Sequence, residues 1–205
     1  MTIQAEKALW KRGYKIVVGI DEAGRGPLAG PVVAGAFALL PKNINKSLFS
    51  LIKDSKQLSE KKREEAFAAI LKEKNLIFGV GKVSEKIIDS INIFEATKMA
   101  MKRAVASLIK KTGLRPDILI IDGKHGINLP IEQKTIVKAD TKIFSCSAAS
   151  IIAKVTRDRL MEKLDKKYIR YGFGTHKGYG TKAHFAAIKK YGCCEIHRKS
   201  FNLHQ

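Results

Sequence analysis

Two adjacent carboxylates, Asp21 and Glu22, close an apolar run rich in β-branched residues, Ile16-Val-Val-Gly-Ile20. A cationic Gly24-Arg25-Gly26 loop follows at once. Burying two acids at a strand end is costly unless a cation compensates them. Glycines beside an arginine let the backbone come close to an anion. Asp122 ends a second apolar run, Ile118-Leu-Ile-Ile121, and Asp140 follows a third segment, Val137-Lys-Ala139. In open α/β sheets, functional groups gather at the carboxyl ends of strands. Four carboxylates so placed could hold two divalent cations, a pair that in phosphodiester cleavage activates a water and stabilises the leaving oxygen. Oxygen-only ligands suit Mg²⁺ or Mn²⁺. The plainer reading of Asp122 or Asp140, taken singly, is a turn former or helix cap. Asp117, in Arg-Pro-Asp before a strand, is ordinary turn chemistry.

The elements that must position these acids are legible in outline. Residues 15–20 and 31–40 are apolar runs separated by a Gly/Pro-rich turn and read as neighbouring antiparallel strands. Residues 41–58 read as a polar connection, and Ser59 as the cap of a helix over about 60–73. Leu76 to Val83 predicts a third strand. Asn92-x-x-Glu95 resembles a capping box that opens a helix to about Lys111, ended by Gly113 and Pro116. Ile118–Ile121 predicts a strand buried on both faces, and Thr135–Lys138 a fifth strand. Ala148, Ile151, Ile152 and Val155 recur at helical spacing and predict a long helix from Ser145 to about Lys167. Glycines 172, 174, 178 and 180 then punctuate an aromatic, basic loop before a last helix over 181–190. The order implies an α/β domain around a mixed sheet, followed by a helical C-terminal part.

Composition bounds the class. The 205 residues carry 39 Lys+Arg against 19 Asp+Glu, a net charge of +20, which points to a polyanionic partner, nucleic acid first. Residues 138–205 hold 15 Lys+Arg and 5 Asp+Glu, so the C-terminal third is expected to form much of the contact surface. Three cysteines, two of them adjacent (Cys193, Cys194), make no disulfide framework, and no Cys-x-x-Cys spacing suggests zinc. No apolar run approaches the roughly 20 residues that span a bilayer, and the first residues lack a signal peptide's apolar core. The expectation is a cytoplasmic protein, monomeric by default. No Ser-His-Asp arrangement is evident, and Ser147 and Ser150 among alanines look like close packing.

The segment Gly19-Ile-Asp-Glu-Ala-Gly-Arg-Gly-Pro-Leu-Ala-Gly-Pro-Val32 resembles the signature of bacterial ribonuclease HII. The likeness recurs in family order through Asp54-Ser-Lys56, Ile91-Asn-Ile93, Ile121-Asp-Gly123, Ser147–Lys154 with Arg157-Asp158, His176–Thr181 and His197-Arg-Lys-Ser-Phe201. The resemblance implies an RNase H-like fold: a mixed five-stranded sheet flanked by helices, with residues 1–167 as catalytic domain and 168–205 as a basic helical extension that helps bind substrate. It implies endonucleolytic cleavage of RNA in RNA–DNA hybrids and 5′ of ribonucleotides embedded in duplex DNA, leaving 5′-phosphates. It places the catalytic, metal-binding acids on Asp21, Glu22, Asp122 and Asp140, with two Mn²⁺ or Mg²⁺ ions expected when substrate is bound. The resemblance also gives Gly24, Arg25 and Gly26 a specific task, reading the 2′-hydroxyl at the cut, and makes Tyr179 the residue that stacks under the following sugar. Lys56, Lys154, His176 and Lys177 join as candidate phosphate or substrate contacts. Lys56 has an equally ordinary reading as a solvated loop lysine, and His176 as a packed histidine. Ala139 stands where the family often has glycine.

Two other functions are compatible with parts of this pattern. Ribonuclease HIII carries an extra N-terminal domain, for which a first strand beginning near residue 15 leaves no room. A non-catalytic hybrid-binding protein would use the same basic face, but gains nothing from four acids turned toward a polyanion.

Overall fold

The computed structural model describes residues 2–41, 46–52, 58–72 and 77–203. Five strands form one sheet in the order β3-β2-β1-β4-β5. β1 (Val17–Ala23) pairs antiparallel with β2 (Val32–Leu39), which pairs antiparallel with β3 (Ile77–Val83). On its other side β1 runs parallel to β4 (Ile118–Asp122), and β4 runs parallel to β5 (Glu132–Ile136). The mixed sheet is the expected one. β1, β2 and β4 are almost wholly buried because helices cover both faces.

One face packs on α4 (Glu85–Thr112), whose Ala96, Ala100, Ala104 and Leu108 meet Val18, Ile20, Leu119 and Ile121. The other packs on α6 (Phe144–Lys167), where Ala148, Ala149, Ile151 and Ile152 join Phe37 and Leu39. The small residues of α6 let its backbone lie close on the sheet. A Cβ added at Gly19 would stand 2.2 Å from the Ser145 carbonyl carbon, and one at Gly35 would stand 2.3 Å from Ala149 O. Side chains do not fit between these backbones.

Around this core lie α2 (Lys46–Ile52), α3 (Glu60–Lys72), the short α5 (Ala139–Lys142), α7 (Phe173–His176) and α8 (Lys182–Tyr191). An N-terminal helix, α1 (Gln4–Lys11), sends buried Glu6 to the start of α6, where its Oε1 accepts from Ser145 N at 2.9 Å. A carboxylate there meets the unpaired amides of a helix N-terminus.

Four sequence expectations need correction. Part of the 41–58 connection is helical (α2), because Leu48 and Ile52 find a buried apolar surface that local composition does not reveal. The helix opened by Asn92 begins seven residues earlier: Asn92, at φ 65°, joins two helical segments, and its Oδ1 accepts from Phe94 N and Glu95 N. The capping role is there, inside a longer element. β5 covers 132–136 instead of 135–138, and it alternates toward exposure as an edge strand does. The Gly172–Gly180 loop contains the single turn α7. Ser59 does cap α3, accepting from Lys62 N at 3.4 Å. Asp117 is read in the sequence as local turn chemistry, but its Oδ2 accepts from Lys15 N and Ile16 N at 2.7 Å each and so ties the start of β4 to the start of β1.

Candidate active site

Strand register assembles the acids. β1 and β4 are parallel with Ile20 opposite Ile121, so the next residues, Asp21 and Asp122, lie side by side at the same sheet edge. Alternation then decides which way each points. Val18 and Ile20 face α4, and a Cβ on Gly19 would meet α6, so Asp21 faces α6 and Glu22 turns toward α4. Asp122 shares the α6 side with Asp21. Asp140 reaches the same point from another direction: it is the second residue of α5 and not the end of a strand. The join is made by Asp122 Oδ1, which accepts from Ala139 N at 2.9 Å.

Oxygens of Asp21, Asp122 and Asp140 lie within 4.8 Å of one another, with Asp21 and Asp140 buried. Burial raises the Asp21 carboxyl well above the ordinary range, and the neighbouring Glu22 and Asp122 charges add to this. A hydrogen bond with Ser150 on α6 and the Glu22 amide at 2.8 Å pull the other way. Burial also raises Glu22, opposed by Arg25, whose Nη1 stands 3.3 Å from Glu22 Oε1. A cation would relieve the desolvation and repulsion that raise these acids, and a set of carboxylate oxygens alone fits a hard divalent ion such as Mg²⁺ or Mn²⁺.

Asp21, Glu22 and Asp122 open into a cleft of about 420 Å³ that also exposes Gly24–Gly26, Arg63, Lys154 and Tyr179, with Asp140 buried behind them. Gly24 has φ +94°, and a Cβ there would sit 2.0 Å from Arg157 Nε; only glycine meets both conditions. A Cβ on Gly26 would be 3.8 Å from the Tyr179 ring. The ring is 44% exposed, with Lys154 Nζ over it at 5.8 Å. Lys154 also pairs with Asp158 at 2.9 Å.

Two of the basic-loop candidates are turned elsewhere. Lys177 Nζ lies 2.7 Å from Glu162. His176 donates from Nε2 to Tyr171 O at 2.7 Å and accepts at Nδ1 from Gly178 N at 3.2 Å, so both ring nitrogens serve the loop. Lys56 lies outside the described residues. Sequence reasoning did not single out Arg63, on α3, nor the Phe94–His125 edge-to-face pair beside Glu22 and Asp122. Arg157 and Arg198 stand in the family-like segments, but nothing local marks a role for either. Only the folded chain brings these near the acids.

The sequence profile of the family described as Ribonuclease HII matches residues 18–204. The chain belongs to the ribonuclease HII family. The Ribonuclease HII of Acetivibrio thermocellus is 54% identical over 196 residues, covering 96% of this chain and 73% of that protein. That of Chlamydia caviae is 48% identical over 198 residues, covering 96% and 88%. Among solved structures, the RNase HII of Archaeoglobus fulgidus, seen in complex with PCNA, superposes with a TM-score of 0.73 at 29% identity, over 93% of this chain and 96% of that one. An RNase HIII in complex with Mn²⁺ has the same fold (TM-score 0.70, 21% identity) over 93% of this chain and 68% of that one. As a ribonuclease HII the chain is a metal-dependent ribonuclease H, and its buried acidic cluster is where such a metal fits.

Proposed function

We propose that this ribonuclease H cuts the RNA strand of RNA–DNA hybrids and, within duplex DNA, cuts 5′ of an embedded ribonucleotide. The observation that carries it is that three mutually close carboxylates, Asp21, Asp122 and Asp140, stand at a cleft which Asp21 and Asp122 line together with a glycine-permitted loop and a half-exposed tyrosine. Asp21, Asp122 and Asp140, with Glu22 alongside, would hold two Mg²⁺ or Mn²⁺ ions; bound there, the ions supply water activation and relief of charge at the leaving oxygen. The protein's own groups do the rest. Gly24-Arg25-Gly26 brings main-chain groups against the ribose 2′-hydroxyl, the one feature that separates RNA from DNA at a single nucleotide. Tyr179 offers an apolar face to the sugar of the next nucleotide and so favours an RNA-to-DNA junction. Lys154 and Arg63 place positive charge over the phosphates. Residues 168–205 serve as the extension that carries Tyr179 and adds basic surface; within it His176 shapes the loop and Lys177 braces it on α6.

A duplex with one embedded ribonucleotide tests the reading. Asp21→Asn should lower cleavage at least about 10³-fold while hybrid binding persists, and EDTA should stop the parent enzyme until Mg²⁺ or Mn²⁺ is restored. Substantial activity in Asp21→Asn, or indifference to EDTA, would overturn the metal assignment. Tyr179→Ala should weaken cutting at an isolated ribonucleotide more than within a long hybrid; equal losses on both substrates would remove its junction role.

A further inference from the structure

Two arginines, Arg157 and Arg198, are fully buried. Among the described residues, all six of their hydrogen bonds go to main-chain carbonyls. Arg198 donates from Nε to Gly30 O at 2.9 Å, from Nη1 to Arg25 O at 2.9 Å and from Nη2 to Gly24 O at 2.6 Å. Arg157 donates from Nε to Pro31 O at 3.0 Å, from Nη2 to Ala29 O at 3.2 Å and from Nη1 to Lys177 O at 2.9 Å. Five of these acceptors belong to the one loop between β1 and β2.

Burying a guanidinium against neutral carbonyls is expensive, and an apolar core would cost less. Burial pushes Arg198 down to about 9 and also lowers Arg157. Such an arrangement makes sense if it fixes a geometry that packing alone would leave loose. In a trans peptide the C=O of one residue and the N–H of the next point in opposite directions. Turning the carbonyls of Gly24 and Arg25 inward onto Arg198 therefore turns the amides of Arg25 and Gly26 outward, toward the cleft. Arg157 adds a second constraint. Its guanidinium spans the loop and Lys177 O, and lies 5.9 Å over the Tyr179 ring, so one planar group sets the spacing between loop and tyrosine.

We propose that Arg157 and Arg198 are positioning residues for ribonucleotide recognition: they hold the Gly24–Pro31 carbonyls inward so that the Arg25 and Gly26 amides face the 2′-hydroxyl at a fixed distance from Tyr179. This rests on the reading of Gly24-Arg25-Gly26 as the hydroxyl sensor. Neither arginine touches the substrate. Their contribution is a prepaid loop conformation, which converts to discrimination because the reader does not have to be ordered at binding.

The test compares binding to two duplexes that differ only by one ribonucleotide, with Ca²⁺ in place of the catalytic ion so that neither is cut. The parent should prefer the ribonucleotide duplex. Arg198→Lys keeps the charge but cannot span three carbonyls, and should shrink that preference about tenfold while affinity for the all-DNA duplex falls far less. Arg157→Lys should do the same and also weaken the dependence on Tyr179. A purely structural role would lower both affinities together or only the melting temperature. Should a lysine variant not fold, the free parent decides by NMR relaxation: backbone order at Arg25 and Gly26 as high as in β1 supports the clamp, and a loop that becomes ordered only on binding overturns it. An undiminished preference in folded lysine variants also overturns the clamp, whereas a parent that shows no preference removes the hydroxyl-sensor reading and the clamp with it.

Discussion

At the scale of single residues, neighbours in the chain are not always partners in the site. Asp21 and Glu22 are adjacent, yet strand alternation sends one to the α6 side with Asp122 and Asp140 and the other toward α4, where Arg25 meets it. The histidines of the C-terminal segment show the same distance between type and role. His184 is buried, with Nδ1 donating to Tyr179 O at 2.9 Å and Nε2 facing His197 Nε2 at 3.1 Å. Two facing nitrogens share one proton, so this pair is built for neutral rings. Burial pushes His184 down to about 4 and lowers His197 as well. The unfolded chain takes up that proton near 6.5. The folded state resists it, so the associated stability is complete above about pH 6.5 and is lost as pH falls toward 4. Thermal denaturation between pH 7.5 and 4.5 should show a falling Tm whose slope is reduced in His184→Gln. Identical slopes would show that the pair does not couple folding to pH.

Elements act here through how closely they lie. α6 presses its backbone onto β1 and β2 at Gly19 and Gly35, and this contact carries Ser150 to Asp21 and Lys154 to the cleft. Gly19→Ala should therefore cost about 3 kcal/mol or prevent folding, since backbone on both sides cannot yield as a side chain would. Urea unfolding measures it, and a loss below about 1 kcal/mol would show that the helix can back away. α5 has the opposite character: one short turn with Lys138 at φ 58° before it, fastened by Asp122 to the Ala139 amide. The sequence suggests a strand over Thr135–Lys138 with Asp140 following it. In the fold β5 stops at Ile136 and Val137 is half exposed. A local propensity gives way where an edge strand has nothing to pair with beyond its neighbour's end.

For the molecule as a whole, a net charge of +20 makes affinity for nucleic acid strongly dependent on ionic strength. Binding to an all-DNA duplex should weaken with a slope of log K against log salt of about −5, and the preference for a ribonucleotide duplex should hardly change with salt, because one hydroxyl releases no counterions. A slope near zero would remove the basic face as the source of affinity. No described helix is long and apolar enough to cross a membrane.

The strands that carry Asp21 and Asp122, the long helix behind them and the family are legible in the chain alone, because apolar periodicity and glycine-rich loop chemistry are local properties. Tertiary structure alone decided which acids share a pocket, that His176 and Lys177 turn inward to brace their own loop, and that Arg157 and Arg198 meet under Gly24-Arg25-Gly26. Those outcomes depend on strand register, on helix approach and on contacts up to 174 residues apart, such as Arg198 with Gly24. No local pattern encodes them, because the free energy that fixes them comes from burial of surfaces that meet only in the folded chain.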